Sequence, residues 1–371
     1  MKVLHVGKYF PPEAGGMESH LFNLAPCLGN KVDLEVIVFT RGHKFTMESY
    51  ENFCLHRLPA QAMVAGQPIN LRLLEYMRDI HADIVHIHHP NPYALWAFIH
   101  SGHPGKLVVT YHSDIVRQKI LGHIIRPLLN RAWQRTRAFS VSSLPFVNSS
   151  PVLSRYRDIV HIVPHGISPN VYLQPISEKA RYLRASVQGL IFLCIGRLVT
   201  YKGFIYAIRA MDALRRKNIA AHLFIVGEGC LFDSLHNEIT KLGLQDCITM
   251  TGRVDDTLPY YQASDVFVLP SCENNETLGI VQVEAMMCGK PVINTSLPTG
   301  VPHISLHGIT GLTVPAKDWL ALADAMNQLL QNESMRKNMG EAARMRALTE
   351  FTAERSANLT FNLYKKICKS A

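Results

Sequence analysis

Apolar runs of strand length recur along the chain, and amphipathic stretches of helical length separate them. Runs of about four to eight apolar residues, closed by glycine, proline or polar clusters, read as buried strands. They lie at 3–6, 34–39, 83–89, 107–111, 139–142 and 161–163, and again at 190–195, 222–226, 248–251, 266–269 and 291–294. Helical spacing marks 17–28, 204–216, 230–242, 255–263 and 277–287, then 318–331, 333–349 and 353–369. Strands alternating with helices predict parallel sheets in an α/β protein. Residues 308–315 read as a hairpin-like turn with a strand.

The plan starts twice. Strand 3–6 feeds a turn ending in Gly15-Gly16 and a helix, and strand 190–195 feeds a turn from Gly196 to Gly203 and a helix. A polar, proline-containing segment after Gly166 separates the two halves. The expected domains are 1–168 and 169–352, with a last helix over 353–371 packing back on the first domain. A ligand is expected in the groove between them.

The densest segment is 270–293, Pro-Ser-Cys-Glu-Asn-Asn-Glu-Thr-Leu-Gly-Ile-Val-Gln-Val-Glu-Ala-Met-Met-Cys-Gly-Lys-Pro-Val-Ile. A strand end runs into a helix closed by Gly289, which suits the left-handed turn of a helix end. Ligands of open parallel sheets bind at strand ends. Glu276 stands at the helix entrance and Glu284 two turns on, roughly 12 Å apart at a rise of about 1.5 Å per residue. That is too far for two carboxylates acting on one bond, and it suits one extended ligand held at two ends. Helix electrostatics for Glu276 and a solvated Glu284 would explain either residue alone.

Composition narrows the partner. The 371 residues are 47% apolar, enough for two cores, and carry a net charge of +9. Residues 1–165 hold 17 Lys and Arg against 11 acids, and 14 of the 18 histidines. A basic first half suggests phosphate, nucleic acid or a membrane surface. Six of its basic residues, Arg117, Lys119, Arg126, Arg131, Arg135 and Arg137, lie in 115–137 with no acid among them. This reads as two helical pieces split by Pro127, either lying on anionic lipid or packed on the core with a solvated face. One tryptophan there is too little aromatic content for a single-stranded nucleic-acid platform.

The 8 cysteines form no Cys-x-x-Cys pair, and Cys194, Cys247 and Cys288 read as buried, reduced thiols. The first apolar run is too short for a secretory leader, and no apolar run is long enough to span a membrane. A cytoplasmic location follows as the expectation.

Other candidate chemistry sits at strand ends. His86, His88 and His89 close one strand, with no carboxylate or cysteine to complete a zinc set, so they are expected to line a cleft. His112 and Asp114 close the next, where both can reach one substrate.

Taken together, Gly15-Gly16, His112, Val163-Pro-His-Gly166, Gly196-Arg197 with Lys202-Gly203, Gly227-Glu228-Gly229 and Glu276-x7-Glu284 resemble the retaining glycosyltransferases of the GT-B fold, family four. The resemblance spans nearly the whole chain. It implies an α/β fold of two Rossmann-like domains facing across a cleft. The stretch Tyr-His-Ser-Asp-Ile-Val at 111–116 resembles O-antigen mannosyltransferases in particular.

The resemblance also implies roles. Arg197 and Lys202 would grip the donor diphosphate, since fixed cations stabilise a departing nucleoside diphosphate. Glu284 would accept from the ribose hydroxyls, and Glu276 would face the donor sugar. Thr277, Leu278 and Gly279 would offer backbone N–H groups. His112, with Asp114 nearby, would contact the sugar, and Gly15 and Gly16 the diphosphate. Glu228, Arg253 and Val254 would lie toward the nucleotide. The implied mechanism is front-face, the departing phosphate oxygen taking the acceptor proton, with a covalent intermediate on Glu276 or Asp114 as the alternative.

No cofactor is implied, and no metal, because there is no Asp-x-Asp sequence. Many relatives carry a glutamate where this chain has Thr299-Gly-Val-Pro-His303, which leaves His303 as a candidate donor contact. The implied partners are a nucleotide-sugar, a polyprenyl-diphosphate-linked saccharide and an anionic membrane surface at 115–137, at the inner face of the plasma membrane. Two other classes stay open: a nucleotide-sugar 2-epimerase of similar architecture, and a basic binding protein without catalysis.

Overall fold

The structure, a computed structural model, describes residues 1–13, 16–114 and 119–369. Its contacts divide the chain into two compact units, Met1–Ile167 with Thr352–Ala371, and Ser168–Phe351.

The first unit is built on ten strands: β1 (Lys2–Val6), β2 (Asp33–Thr40), β3 (Thr46–Tyr50), β4 (Phe53–Pro59), β5 (Ala62–Val64), β6 (Gln67–Ile69), β7 (Ile84–His89), β8 (Lys106–Tyr111), β9 (Thr136–Val141) and β10 (Val160–Ile162). Eight form one sheet in the order β10-β9-β8-β7-β1-β2-β4-β3, parallel except for β3, while β5 and β6 pair as a separate hairpin. Strand order reverses between β1 and β7, where His5 stands directly beside His86. Both faces are covered. Leu4 and Val6 join a cluster with Leu73, Met77, Phe98 and Trp133, and Val3, one step out of phase, joins Leu24, Leu28, Val36 and Tyr364. Tyr364 comes from the last helix, Ala353–Lys369, which packs on the helix Gly16–Gly29.

The second unit carries β11 (Leu190–Ile195), β12 (Ala221–Val226), β13 (Ile248–Gly252), β14 (Val266–Val268), β15 (Val292–Thr295) and β16 (Gly311–Val314), in the order β13-β12-β11-β14-β15-β16. All of these neighbours are parallel. The near-continuous apolar runs follow from burial on both faces. Strand order reverses between β11 and β14, so the loops leaving these strands flank the position where open α/β sheets receive ligands.

Several expectations need correction. The helix expected at 277–287 begins at Ile280, because Gly279 is left-handed (φ 68°, ψ 60°) and holds Thr277–Gly279 as a loop. Of the segment 115–137, residues 115–118 lie outside the described residues, and the part described is not split at the proline: one helix, Lys119–Arg135, runs through Pro127, held by burial of Ala132 and Trp133 beyond it. Its last basic residue, Arg137, belongs to β9. Residues 308–315 give no hairpin, since β16 pairs in parallel with β15 after a tight turn. Cys194 is buried, but Cys247 and Cys288 are half-buried.

Candidate functional site

In the second unit, three loops at the carboxyl ends of the strands are laced together by main-chain bonds. Leu198 N donates to Glu228 O at 2.9 Å and Leu231 N to Leu198 O at 3.1 Å, which joins the loops after β11 and β12. Cys272 N donates to Tyr201 O at 2.8 Å, which joins the loop after β14. Gly203 (φ 67°) sits where these loops meet. A Cβ there would lie 2.1 Å from Pro270 O, so only glycine fits between the loops.

This lacing brings Lys202, Glu276 and Glu284 together. Lys202 Nζ lies 2.5 Å from Glu276 Oε2, with 11% and 9% of the two side chains exposed. Ser271 Oγ donates to the same oxygen at 3.0 Å. Glu284, on the helix Ile280–Met287, accepts from Tyr261 Oη at 2.7 Å. Burial holds the Glu284 carboxyl above the usual carboxylate range, opposed by hydrogen bonds from Tyr261 and Tyr172 and by the Lys202 charge. The Lys202 ammonium is thus paired with Glu276, and its charge is the smallest of the influences on Glu284.

The loop before the helix is held from behind by buried amides. Gln282 Nε2 donates to Leu278 O at 2.7 Å and to Val301 O at 3.1 Å. Asn294 Nδ2 donates to Gln282 Oε1 at 3.1 Å, and Thr313 Oγ1 closes the set on Asn294 Oδ1 at 2.8 Å. The backbone N–H groups of Thr277, Leu278 and Gly279 have no partner among the described residues. Together with the helix start they form a cluster of donors suited to an anion.

The remaining predicted positions of this unit are at the surface. Arg197 is exposed, its guanidinium 3.4 Å from Tyr201 Oη. Arg253 and Glu228 form an exposed ion pair at 3.5 Å, and Val254 beside them is half-buried. His303 is exposed, and its ring bonds to nothing among the described residues, while its carbonyl accepts from Arg346.

In the first unit, Gly16 opens the helix Gly16–Gly29, while Gly15 lies outside the described residues. Asp114 ties a loop down: Tyr111 Oη and Ser150 Oγ donate to its Oδ1 at 2.7 and 2.9 Å. His112 is buried, and His88 Nδ1 stands 3.2 Å from its Nε2.

His86, His88 and His89 do not line a cleft; all three are buried. His86 and His88 share one face of β7 and stack at 5.2 Å, bonded toward His5 and Tyr364, whereas His89 stacks on Tyr111 from the other face. His20 stacks on His165 at 4.0 Å beside His112. Burial pushes His88 and His89 down to about 3 and His165 to about 4, and holds His5, His20, His86 and His112 well below the ordinary histidine value. The rings are neutral at working pH.

Sequence reasoning missed Tyr172, Tyr261, Ser271, Gln282 and Asn294 in the second unit, and His5, His20 and Tyr364 in the first. One signal was present: Gln282 is the uncharged polar residue inside an otherwise apolar turn of helix. Tyr364, far from His5 in sequence, had none.

Within 115–137, Arg117 lies outside the described residues, as does the Lys119 side chain. Arg126, Arg131 and Arg137 are exposed. Arg135 also supports the fold, its guanidinium lying over the Phe98 ring at 4.9 Å and bonding to His103 O. Among the described residues no helix is long and apolar enough to cross a membrane, and no group of three or more His, Cys, Asp or Glu is arranged to hold a metal ion.

Comparison with known proteins places this geometry. Residues 14–171 match the family model described as Glycosyltransferase Family 4, and residues 177–346 the one described as Glycosyl transferases group 1. The chain is 30% identical to a D-rhamnosyltransferase of Pseudomonas aeruginosa, over 95% of this chain and 93% of that protein. It is also 30% identical to O-antigen chain mannosyltransferase C of Escherichia coli, over the full length of both. Among solved structures, Anabaena HepE in complex with UDP has a TM-score of 0.80 at 20% identity, covering 99% of this chain and 100% of that one, a likeness of fold. With two parallel α/β units, the glycine turns and the paired carboxylates in place, the chain belongs to glycosyltransferase family 4, of the GT-B fold.

Proposed function

We propose that this protein transfers a hexose from a nucleotide-sugar to a lipid-linked saccharide during cell-surface polysaccharide synthesis, with GDP-mannose as the first donor to test. The observation that carries this reading is the secluded Lys202–Glu276 pair where the loops meet, with the buried Glu284 bonded to Tyr261 on the helix that follows. A nucleotide-sugar has its negative charge in the middle and hydroxyls at both ends. A cation flanked by two carboxylates complements that order of charges.

Lys202 and Arg197 take the diphosphate, and the amides of Thr277, Leu278 and Gly279 add donors to it or to the sugar. Glu284, held by two tyrosines, accepts from the ribose hydroxyls. Glu276 accepts from the sugar hydroxyls. Glu228, Arg253 and Val254 lie toward the base, and His112, Gly16 and Gly15 are the first unit's contributions. The relatives support both partner classes: one is named for O-antigen chains, which bears on the acceptor, and the Anabaena neighbour was solved with UDP, which bears on the donor.

In the reaction the bond from the anomeric carbon to the phosphate oxygen breaks. The acceptor oxygen bonds to that carbon on the same face, and its proton passes to the departing phosphate oxygen. Configuration is retained. Charge on the leaving diphosphate is met by fixed protein cations, so the step requires no metal.

The membrane-facing element of this reading is the arginine set Arg126, Arg131 and Arg137, which would hold the enzyme at an anionic inner surface near a polyprenyl-diphosphate acceptor.

A donor panel tests the proposal. GDP-mannose, UDP-glucose and UDP-N-acetylglucosamine are ranked by thermal shift and then by product formed on a lipid-linked saccharide. Transfer with retained configuration in the presence of a chelator is the expected result. Epimerised free sugar without acceptor, or binding with no turnover on any acceptor, would overturn it.

A further inference from the structure

Six side chains of the first unit form one unbroken hydrogen-bonded line. Thr110 Oγ1 lies 2.7 Å from His86 Nε2, and His86 Nδ1 lies 2.5 Å from Tyr364 Oη. Tyr364 Oη lies 2.7 Å from His5 Nε2, and His5 Nδ1 lies 3.0 Å from His88 Nε2. His88 Nδ1 then lies 3.2 Å from His112 Nε2. The strands β1, β7 and β8 supply four of the six, His112 follows directly after β8, and the last helix supplies Tyr364. No charged side chain bonds to any of these rings among the described residues.

A neutral imidazole has one N–H and one lone pair, so each ring that donates forward must accept from behind. The Tyr364 oxygen has two lone pairs and could accept from both His86 and His5, but Tyr364 is fully buried and its own hydrogen would then have no partner among the described residues. With that hydrogen bonded, all protons point one way or all point the other. The closed end chooses between them. Thr110 is buried, and His86 is the sole side-chain partner of its hydroxyl among the described residues. Were Thr110 the acceptor, its own hydrogen would be buried with nothing to bond. A buried donor left unmade costs more than a spare lone pair. Thr110 therefore donates, and every proton along the line points toward His112. His112 Nε2 is then an acceptor, and its proton sits on Nδ1, a nitrogen with no partner among the described residues.

We propose that Thr110, His86, Tyr364, His5 and His88 are positioning residues that fix His112 as the Nδ1–H tautomer, so that it meets its ligand as a hydrogen-bond donor. The proposal rests on the reading above for one point, that the ligand of His112 is the transferred sugar. A donor at that place accepts no proton from the acceptor hydroxyl. It suits a hydroxyl or ring oxygen of the sugar as the partner.

The test uses the full-length protein with 15N-labelled histidine and two-bond proton–nitrogen correlation spectra. His112 should show a pyrrole-type Nδ1 and a pyridine-type Nε2. Thr110→Val, which keeps the shape of a strand residue, removes the directing hydroxyl, and Tyr364→Phe cuts the line in the middle. In each, both His112 nitrogens should move toward averaged values as the second tautomer is populated. Two variants at separate places keep the test open if one fails to fold. Turnover of the best donor of the panel should fall about tenfold in Thr110→Val, the worth of one hydrogen bond, with GDP affinity unchanged. A pyrrole-type Nε2 in the unaltered protein, or His112 shifts unchanged in both variants, overturns the proposal. His112→Ala separates the two readings: unaltered turnover there would overturn the sugar contact while leaving the tautomer result intact.

Discussion

Lys202 Nζ and Glu276 Oε2 stand 2.5 Å apart at the meeting of two loops, with about a tenth of each side chain exposed. A pair this secluded is costly to break from one side, because the remaining charge is stranded. Glu276→Ala should lower turnover about a hundredfold or more, with a smaller effect on nucleotide affinity. It should also cost roughly 3 kcal/mol of stability. Replacing both residues together, Lys202→Met with Glu276→Leu, should recover the stability and none of the turnover. Thermal melts beside nucleotide release decide this. A double variant no more stable than the single one would show that the loops, and not the stranded charge, set the cost.

Glu284 should govern nucleotide affinity, and its pH dependence has a definite sign. A carboxylate accepts two hydroxyl bonds and its protonated form accepts fewer. Burial holds this group above the ordinary value of 4.5, so affinity for GDP or UDP should begin to fall at a higher pH than an ordinary carboxylate would give. The Tyr261 bond lowers the group's pKa, so Tyr261→Phe should move the midpoint of that loss upward. Titration calorimetry from pH 5 to 8 reads both effects. Glu284→Ala should weaken binding and abolish this dependence.

The buried histidines make the first unit acid-sensitive. His5, His86, His88 and His89 sit below their ordinary value of 6.5 when folded, so the unfolded chain binds more protons. Stability is fully present above about pH 6.5 and is lost as pH falls toward the folded values, by about 1.4 kcal/mol per ring per pH unit. Hydrogen exchange at pH 7.5 and 5.5 should show the loss in β1, β7 and β8 and spare β11 and β12. Uniform loss in both units would count against it.

Gln282 should matter to the donor without touching it. Gln282→Met keeps the volume but removes the bonds to Leu278 O and Val301 O and one of the acceptors of Asn294 Nδ2, which keeps Val301 O and Ser305 O. We expect a cost of about 1–3 kcal/mol and a raised KM for the donor, as the Thr277–Gly279 loop loses its support. Urea unfolding and steady-state kinetics together test it, and a KM equal to that of the unaltered protein would sink it.

The exposed arginines offer a separate test. Arg126, Arg131 and Arg137 changed together to Glu should lower partitioning onto vesicles containing anionic lipid by at least about a hundredfold, at about 1 kcal/mol for each charge near the surface. Arg135 is left in place because it braces Phe98 and His103. Cosedimentation at low and raised salt provides the measurement, and binding equal to that of the unaltered protein refutes a membrane role.

Much of this was legible in the pattern of residues. The alternation of apolar runs and amphipathic stretches located strands β1, β2, β7, β8 and β11–β15, and the helix Phe204–Arg216 to the residue. Lys202, Glu276 and Glu284 stood out because glycine turns and strand ends frame them locally. The start of the helix at Ile280 was misread because apolar spacing cannot show that Gly279 turns left-handed. Pro127 was misread because a local rule for proline ignores the packing of Ala132 and Trp133.

What the sequence determined by itself is whatever one segment decides: period, turn chemistry, and the charge carried by a loop. What only the tertiary structure decided is which distant segments share one low-dielectric place. The 14 histidines of the first half read as part of a basic half, and His86, His88 and His89 among them as the lining of a cleft. The fold sets His5 beside His86 across β1 and β7, brings Tyr364 onto both from the end of the chain, and buries them. Burial penalises their charged forms and leaves each ring one proton to give, which turns a run of titratable residues into a line of neutral donors and acceptors. No local pattern encodes that result, because it depends on strand order.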